Sequence, residues 1–241
     1  MKWFVTLYVM AALVLPMGCG AILSEGSVGD RPVRLDGTGA AWIDETVYEP
    51  DEGGIILRER ASDETSLHLL FSSVSFDPGA DLRGLPMAER LSLIDAMNRG
   101  DLLRLSLRRG DRVGAGDTLL YDNEQPEVPE SGPYIANVSL QLGDDPLTKD
   151  SEYPDTVGRA ASGLRATLTL NQVEPRVLGE LDLDVFALDG EAQQEGVAEG
   201  KVELRFDVEV LPERLAECNF DPNGAGGLVS PCDTLSLEGG G

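Results

Sequence analysis

The chain has 241 residues, with 43 acidic against 19 basic side chains and a formal net charge of −24. A surface of that charge repels nucleic acid and anionic lipid headgroups, so neither is expected as a partner. Aromatic residues make up only 5% of the chain, which disfavours a glycan-binding platform built from stacked rings.

The first twenty residues have the organisation of an export signal. Lys2 supplies a positive start, and an apolar run follows from Trp3 to Leu15. This run is shorter than the roughly 20 apolar residues that a membrane-spanning helix needs. Small residues around a cysteine, Gly18-Cys19-Gly20, end the segment. We therefore predict an exported protein with a signal peptide over residues 1–19.

The end of this segment resembles the lipobox of bacterial lipoproteins, in which a cysteine is diacylated and becomes the first mature residue. Gly18 matches that pattern, whereas Pro16 stands where an aliphatic residue is usual. The resemblance implies that lipid on Cys19 anchors the chain to a membrane. Gly20 resembles lipoproteins sent to the outer membrane or cell surface, with the periplasm as the alternative. A plain secretory signal cut near Gly18 or Gly20 is the competing interpretation.

Cysteine usage agrees with export. The chain has three cysteines, so a lipid on Cys19 leaves Cys218 and Cys232 as a pair. Export to an oxidising compartment makes a disulfide between these two the expected state. Closing a loop of about 15 residues stabilises a fold by roughly 3 kcal/mol in the chain-entropy model. A metal or redox pair lacks the Cys-x-x-Cys spacing.

Composition shifts along the chain suggest a domain layout. Residues 20–38 contain Gly and Ser and predict a flexible tether. One β-rich domain is expected over residues 39–232, with a possible internal boundary at the acidic, Pro-rich segment 122–133. A Gly-rich tail at residues 233–241 is expected to be disordered.

The first half shows strand patterns and one change of period. Leu67, Leu69 and Phe71 alternate onto one face of a predicted strand. After Pro86 the period becomes helical, with Met87, Leu91 and Ile94 at i, i+4 and i+7. This pattern predicts one short amphipathic helix that bridges strands, with those three side chains on its apolar face. Further strands are predicted in this half at Ala40–Tyr48, Leu102–Leu107, Thr118–Tyr121 and Tyr134–Leu142.

The C-terminal third has the clearest period-two alternation. Apolar and polar residues alternate strictly over Leu164–Leu170, Leu181–Val185 and Val202–Val210. Such strands bury one face and solvate the other, and the last two should pair as a hairpin. The chain is therefore predicted to be mainly β, an antiparallel β-sandwich or barrel-like domain with one short amphipathic helix.

This third also carries a family resemblance. The run from Ser162 to Leu170 is followed by Gly179-Glu180-Leu181-Asp182-Leu183, then by Gly200, Phe206 and Cys218. The order resembles the ending of myxobacterial-type envelope lipoproteins of unknown function. It implies an envelope lipoprotein and brings no assigned activity.

Catalytic motifs are scarce. His68 is the single histidine, so a Ser-His-Asp triad would have to use it. It lies mid-strand between Leu67 and Leu69, where a non-catalytic strand histidine is expected. Zinc-protease, nucleophile-elbow and phosphate-loop motifs do not occur. A carboxylate pair could still run glycoside hydrolysis, but the sequence does not single out two of its 43 acids.

Two acidic features are weak metal candidates, and calcium is the cation they would suit. Asp182 and Asp184 could form a cation site with Asp207 or Glu209 across the predicted hairpin, although solvated charge is the favoured interpretation. The other feature is a short segment similar to part of a calcium-binding loop. It lacks the other oxygen ligands of such a loop, and a plain turn is the favoured explanation. Its two candidate ligands are Asp221 and Asn223.

These observations favour a lipid-anchored envelope protein that acts as a non-enzymatic binding or structural module. An envelope protein is its expected partner, and no cofactor is expected beyond possible calcium. The alternatives are a carboxylate-dependent hydrolase of the envelope and a calcium-stabilised adhesion module.

Overall fold

The computed structural model describes residues 21–50, 57–109, 114–122, 132–143, 159–188 and 198–220. Ten strands lie in these ranges: β1 (Ile22–Val28), β2 (Arg31–Pro32), β3 (Thr38–Pro50), β4 (Leu57–Ser72), β5 (Leu102–Arg109), β6 (Thr118–Asp122), β7 (Tyr134–Leu142), β8 (Arg159–Gln172), β9 (Arg176–Leu188) and β10 (Gly200–Leu211). The helices are α1 (Met87–Arg99) and α2 (Glu213–Phe220), with a 3-10 turn at Leu82–Gly84 before α1.

The strands form two curved sheets that join at both sides. The front sheet has the order β2-β1-β10-β9-β8-β6, and the back sheet has the order β3-β4-β5-β7, with antiparallel neighbours throughout. At one corner β10 pairs in parallel with β3, with Val210 opposite Ala41. At the other, β8 pairs with β7, with Ala160 opposite Gln141. The result is a nearly closed, barrel-like mixed sheet, which confirms the predicted fold class.

The barrel interior is apolar because each strand turns alternate side chains inward. Burying a Leu, Val or Phe side chain contributes about 1.5–3 kcal/mol, so this interior is the main source of stability. The predicted hairpin of β9 and β10 is confirmed, with Leu181 opposite Leu204. The alternating runs of β4, β8, β9 and β10 supply much of the core with Leu67, Leu69, Phe71, Leu164, Leu168, Leu170, Leu181, Leu183, Val202, Leu204 and Phe206.

A second, smaller core covers the outer face of the back sheet. Helix α1 confirms the helix expected after Pro86, but its buried face differs from the prediction. Met87 and Leu91 are 67% and 57% exposed. Leu93 and Met97 pack instead against the apolar cluster on the sheet. That cluster comprises Ala40, Trp42, Leu70, Leu82, Leu102, Leu211 and Ala216.

Helix α2 is an element that the sequence analysis does not predict. It follows Pro212, and its Ala216 is fully buried in the second core. The Asn219 side chain accepts a hydrogen bond from Leu82 N at 3.1 Å and donates one to Ala80 O at 2.8 Å. These bonds fix the 3-10 turn against α2.

The flexible tether predicted for residues 20–38 is contradicted by the structure. β1 pairs along its whole length with β10, with Ile22 opposite Phe206. Val33 and Leu35 are buried, at 3% and 0% exposure. Most β1 side chains are polar or exposed, so the strand is stabilised by its backbone ladder rather than by an apolar pattern. β1 therefore belongs to the β domain.

The segment 122–133 separates β6 from β7 but does not separate two domains. β6 pairs with β8, and β7 pairs with both β5 and β8. Side chains of both strands, Leu119 and Leu140 among them, lie in the same barrel core. The described residues on its two sides form one β domain.

Candidate functional site

Trp42, His68 and Ser106 form a row across the outer face of the back sheet. They lie opposite one another on β3, β4 and β5. The Trp42 and His68 rings stack, with centroids 5.1 Å apart and 15° between their planes. His68 Nδ1 lies 3.0 Å from Ser106 Oγ, and His68 Nε2 lies 3.9 Å from Oδ2 of Asp44. His68 is thus the strand histidine that the sequence predicts, with neighbours set by cross-strand register.

Asp44, His68 and Ser106 are neighbours in space in the order acid, imidazole and hydroxyl, as in a catalytic triad. The surroundings of Ser106, however, do not suit acyl transfer. Ser106 lies in the middle of β5, flanked by β4 and β7, rather than at a helix N-terminus or a turn that presents free backbone N–H groups. Acyl transfer requires free donors aimed at the developing oxyanion. The 3.9 Å separation between Asp44 and His68 also exceeds a hydrogen bond. The row is best explained as packing that ties three strands together.

A cleft opens where β10 leaves β1 and turns toward β3, and we call it the fork cleft. Its volume of about 470 Å³ falls within the range of small-molecule sites. Gly39 lies at its base, where an added Cβ would come within 2.6 Å of both Ile22 Cδ1 and Val208 Cγ1. Its apolar wall is formed by Ile22, Phe76, Val208, Leu211 and Leu215.

The charged residues of the fork cleft are mostly acidic. Arg176 is the one cation among its described lining residues, and Asp207 holds it. Arg176 Nε donates to Asp207 Oδ1 at 2.5 Å, and Nη2 donates to the backbone oxygen of Asp207 at 3.1 Å. Asp36, Asp77 and Glu209 complete the acidic lining. Within the described residues, Asp36 and Glu209 form no side-chain hydrogen bond or ion pair.

Asp182 and Asp184, the weak candidates for a cation site with Asp207 or Glu209, do not lie opposite either of those residues. The hairpin register places Asp182 opposite Glu203, four or more residues from those two along β10. Asp207 and Glu209 lie instead at the fork cleft. Register decides this outcome, and the alternation of each strand alone does not reveal it.

Asp182 and Glu203 belong to a ladder of ion pairs on the exposed face of the front sheet. The Lys201 Nζ lies 2.6 Å from Glu203 Oε1 and 3.6 Å from Asp182 Oδ1. The hydrogen bond between Lys201 and Glu203 is the chief cause that raises the pKa of Lys201 and lowers the pKa of Glu203. This face is therefore solvated, paired charge.

Several predicted site residues fall outside the described part of the chain. They are Cys19, Cys232, Asp221 and Asn223. The backbone of Cys218 lies in α2, so the predicted Cys218–Cys232 disulfide stays a prediction. Across the described ranges, no group of three or more His, Cys, Asp or Glu side chains is arranged to hold a metal ion. Calcium binding also stays a prediction.

Comparisons with protein-family models, curated proteins and solved structures find no match for this chain. None of the helices in the described ranges is both long and apolar enough to span a bilayer. Function has to be inferred from the residues of the chain and from their geometry.

Proposed function

We propose that this protein is a lipid-anchored envelope protein and a non-enzymatic binding module, with the fork cleft as its ligand site. The cleft carries the proposal, since a concave space of about 470 Å³ lined by both apolar and charged side chains has the size of a small-ligand site. The signal-like N-terminal segment that ends at Cys19 supports the anchor. The proposal treats the His68 row as structural.

Anchoring would hold the fork cleft close to the membrane. Ile22 lines the cleft and lies three residues after Cys19. Three residues of extended chain span at most about 10 Å. Because β1 is fixed in the front sheet from its first residue, the domain would not swing on a flexible tether. A ligand would therefore meet the cleft near the membrane surface.

Metabolic labelling with an alkynyl fatty acid tests the anchor. We expect the wild-type chain to take up the label and the Cys19→Ala variant to lose it, since the thiol is the acceptor. The Cys218→Ala variant is the matched control and should stay labelled. Labelling that persists in Cys19→Ala, or that is absent from the wild type, would refute the anchor.

A carboxylate-dependent hydrolase is the second candidate, because the fork cleft is a concave surface that holds several carboxylates. Asp207 and Glu209 occupy successive outward positions of β10 there. We rank it second because Asp207 is already engaged by Arg176. Hydrolysis of an envelope polysaccharide that Glu209→Gln abolishes, while Glu25→Gln does not, would favour this candidate over a binding module.

A further inference from the structure

We infer that the fork cleft binds an organic cation, meaning a primary ammonium or guanidinium group carried on an apolar body. This inference rests on the proposed function of the cleft as a ligand site. It follows from three features of the lining: an apolar wall, an internally neutralised arginine, and carboxylates that no neighbouring cation offsets.

The wall of the fork cleft suits a ligand with an apolar body. Val208 and Leu211 of β10 are themselves buried, at 3% and 6% exposure, so this wall continues from the packed cores into the cleft. Thr38, at 4% exposure, fixes the backbone at Val74 and Phe76, at the edge of the cleft. Its hydroxyl donates to Val74 O at 2.7 Å and accepts from Phe76 N at 2.9 Å. The cleft is thus preformed, and an alkyl or aryl body would cover its apolar wall.

The net charge of the lining determines whether a cationic or an anionic ligand is favoured. Arg176 and Asp207 satisfy each other, which leaves Asp36, Asp77 and Glu209 as the uncompensated charges. The surplus of negative charge in the lining repels an anion and attracts a cation. Because all three carboxylates are exposed, salt screens this attraction, which should weaken as the ionic strength rises.

A bare metal ion is disfavoured relative to an organic cation. The described residues contain no group of His, Cys, Asp and Glu side chains arranged to ligate a metal, the fork cleft included. A metal ion would also leave the wall of Ile22, Phe76 and Leu215 uncovered. An ammonium or guanidinium group donates several hydrogen bonds to carboxylates while its carbon chain contacts that wall.

Binding of n-hexylammonium to the purified full chain tests the inference, with n-hexanol and hexanoate as neutral and anionic probes of equal length. Amide chemical shifts of Gly37, Gly39 and Gly79, which line the cleft, report occupancy by NMR. We expect saturable shifts at these amides with hexylammonium, weaker shifts with hexanol, and none with hexanoate.

Two double variants that each remove two negative charges distinguish binding at the cleft from non-specific attraction to the negatively charged chain. Asp36→Asn/Glu209→Gln should weaken hexylammonium binding about fivefold at low ionic strength, because it removes two exposed charges at the cleft. Asp30→Asn/Glu25→Gln removes two exposed charges elsewhere and should change binding by less than about twofold. All four residues are exposed, so both variants should fold, and their melting temperatures check this.

The other possible results of these titrations would contradict either the cation inference or the cleft as a ligand site. Equal weakening by the two double variants, or equal binding of hexanol and hexylammonium, would overturn the cation inference and leave the cleft as a ligand site. If none of the probes shifts the cleft amides, the cation inference fails together with the cleft as a small-ligand site. The fatty-acid labelling experiment tests the anchor at Cys19 and does not depend on either outcome.

Discussion

At the scale of single residues, Asp101 is a buried carboxylate with 4% exposure. It connects its own segment to two others that are distant in sequence. Its Oδ1 accepts hydrogen bonds from Arg31 Nη2 at 2.5 Å and from Gly143 N at 2.8 Å. Its Oδ2 accepts one from Arg34 N at 2.8 Å. Nothing in the local sequence identifies this role, because the partners lie 70, 67 and 42 positions away. It becomes visible only once the strands are paired.

Replacing Asp101 with Ala should lower the free energy of unfolding by about 3 kcal/mol, since it leaves two backbone amides and a partly buried guanidinium without their acceptor. Urea denaturation measures the change. Asp95→Ala removes a carboxylate that forms an exposed i,i+4 pair with Arg99, and should cost less than about 0.5 kcal/mol. Similar losses for the two variants would contradict the role assigned to Asp101.

Asp81 provides a pH-dependent prediction. The hydrogen bond from the Arg83 side chain is the largest cause that holds the pKa of Asp81 below its ordinary value. A carboxyl group with a lowered pKa stabilises the fold above its ordinary pKa, and this contribution is lost as the pH falls through the lowered value. We expect an NMR titration to place the Asp81 midpoint below that of an unperturbed Asp.

Arg83→Ala should move the Asp81 midpoint back up toward the ordinary value, because it removes the side-chain donor and its charge. Arg90→Ala changes charge equally and serves as the control that leaves the midpoint in place. An Asp81 midpoint that does not respond to Arg83→Ala would show that the side-chain contact is not the cause.

At the scale of elements, the sequence predicts what depends on local pattern. Period-two alternation locates β8, β9 and β10, and the change of period after Pro86 locates α1. Contacts set by other elements are not predicted: β1 is missed because its partner β10 stabilises it through the backbone. The buried face of α1 is missed because the apolar patch beneath it selects Leu93 over Leu91.

The orientation of α1 can be tested with a pair of leucine variants. Leu93→Ala should lower the free energy of unfolding by about 1–2 kcal/mol, less than for a fully buried leucine because Leu93 is partly exposed. Leu91→Ala should stay within about 0.5 kcal/mol of the wild type, since Leu91 is 57% exposed. Urea denaturation of both variants measures the difference, and the reverse order would contradict the packing described for α1.

At the scale of the whole molecule, two sheets enclose the apolar barrel core. The fork cleft lies where β10 passes from its pairing with β1 to its pairing with β3. The front sheet presents paired charges to solvent, whereas the charges at the cleft are unbalanced. The sequence supplies the composition behind both features, but the fork cleft depends on strand order and register. Its four acidic residues come from three separate parts of the chain: Asp36, Asp77, and the β10 pair Asp207 and Glu209.

We propose that this domain is held at a membrane through Cys19, with the fork cleft beside the anchor. Mass spectrometry of the N-terminal peptide of the mature chain, isolated from membranes, distinguishes this anchor from a plain secretory signal. We predict a peptide that begins at Cys19 and carries the mass of a diacylglyceryl group on its thiol. An unmodified peptide that begins at Cys19, at Gly20 or at Ala21 would contradict the claim and identify a plain secretory signal.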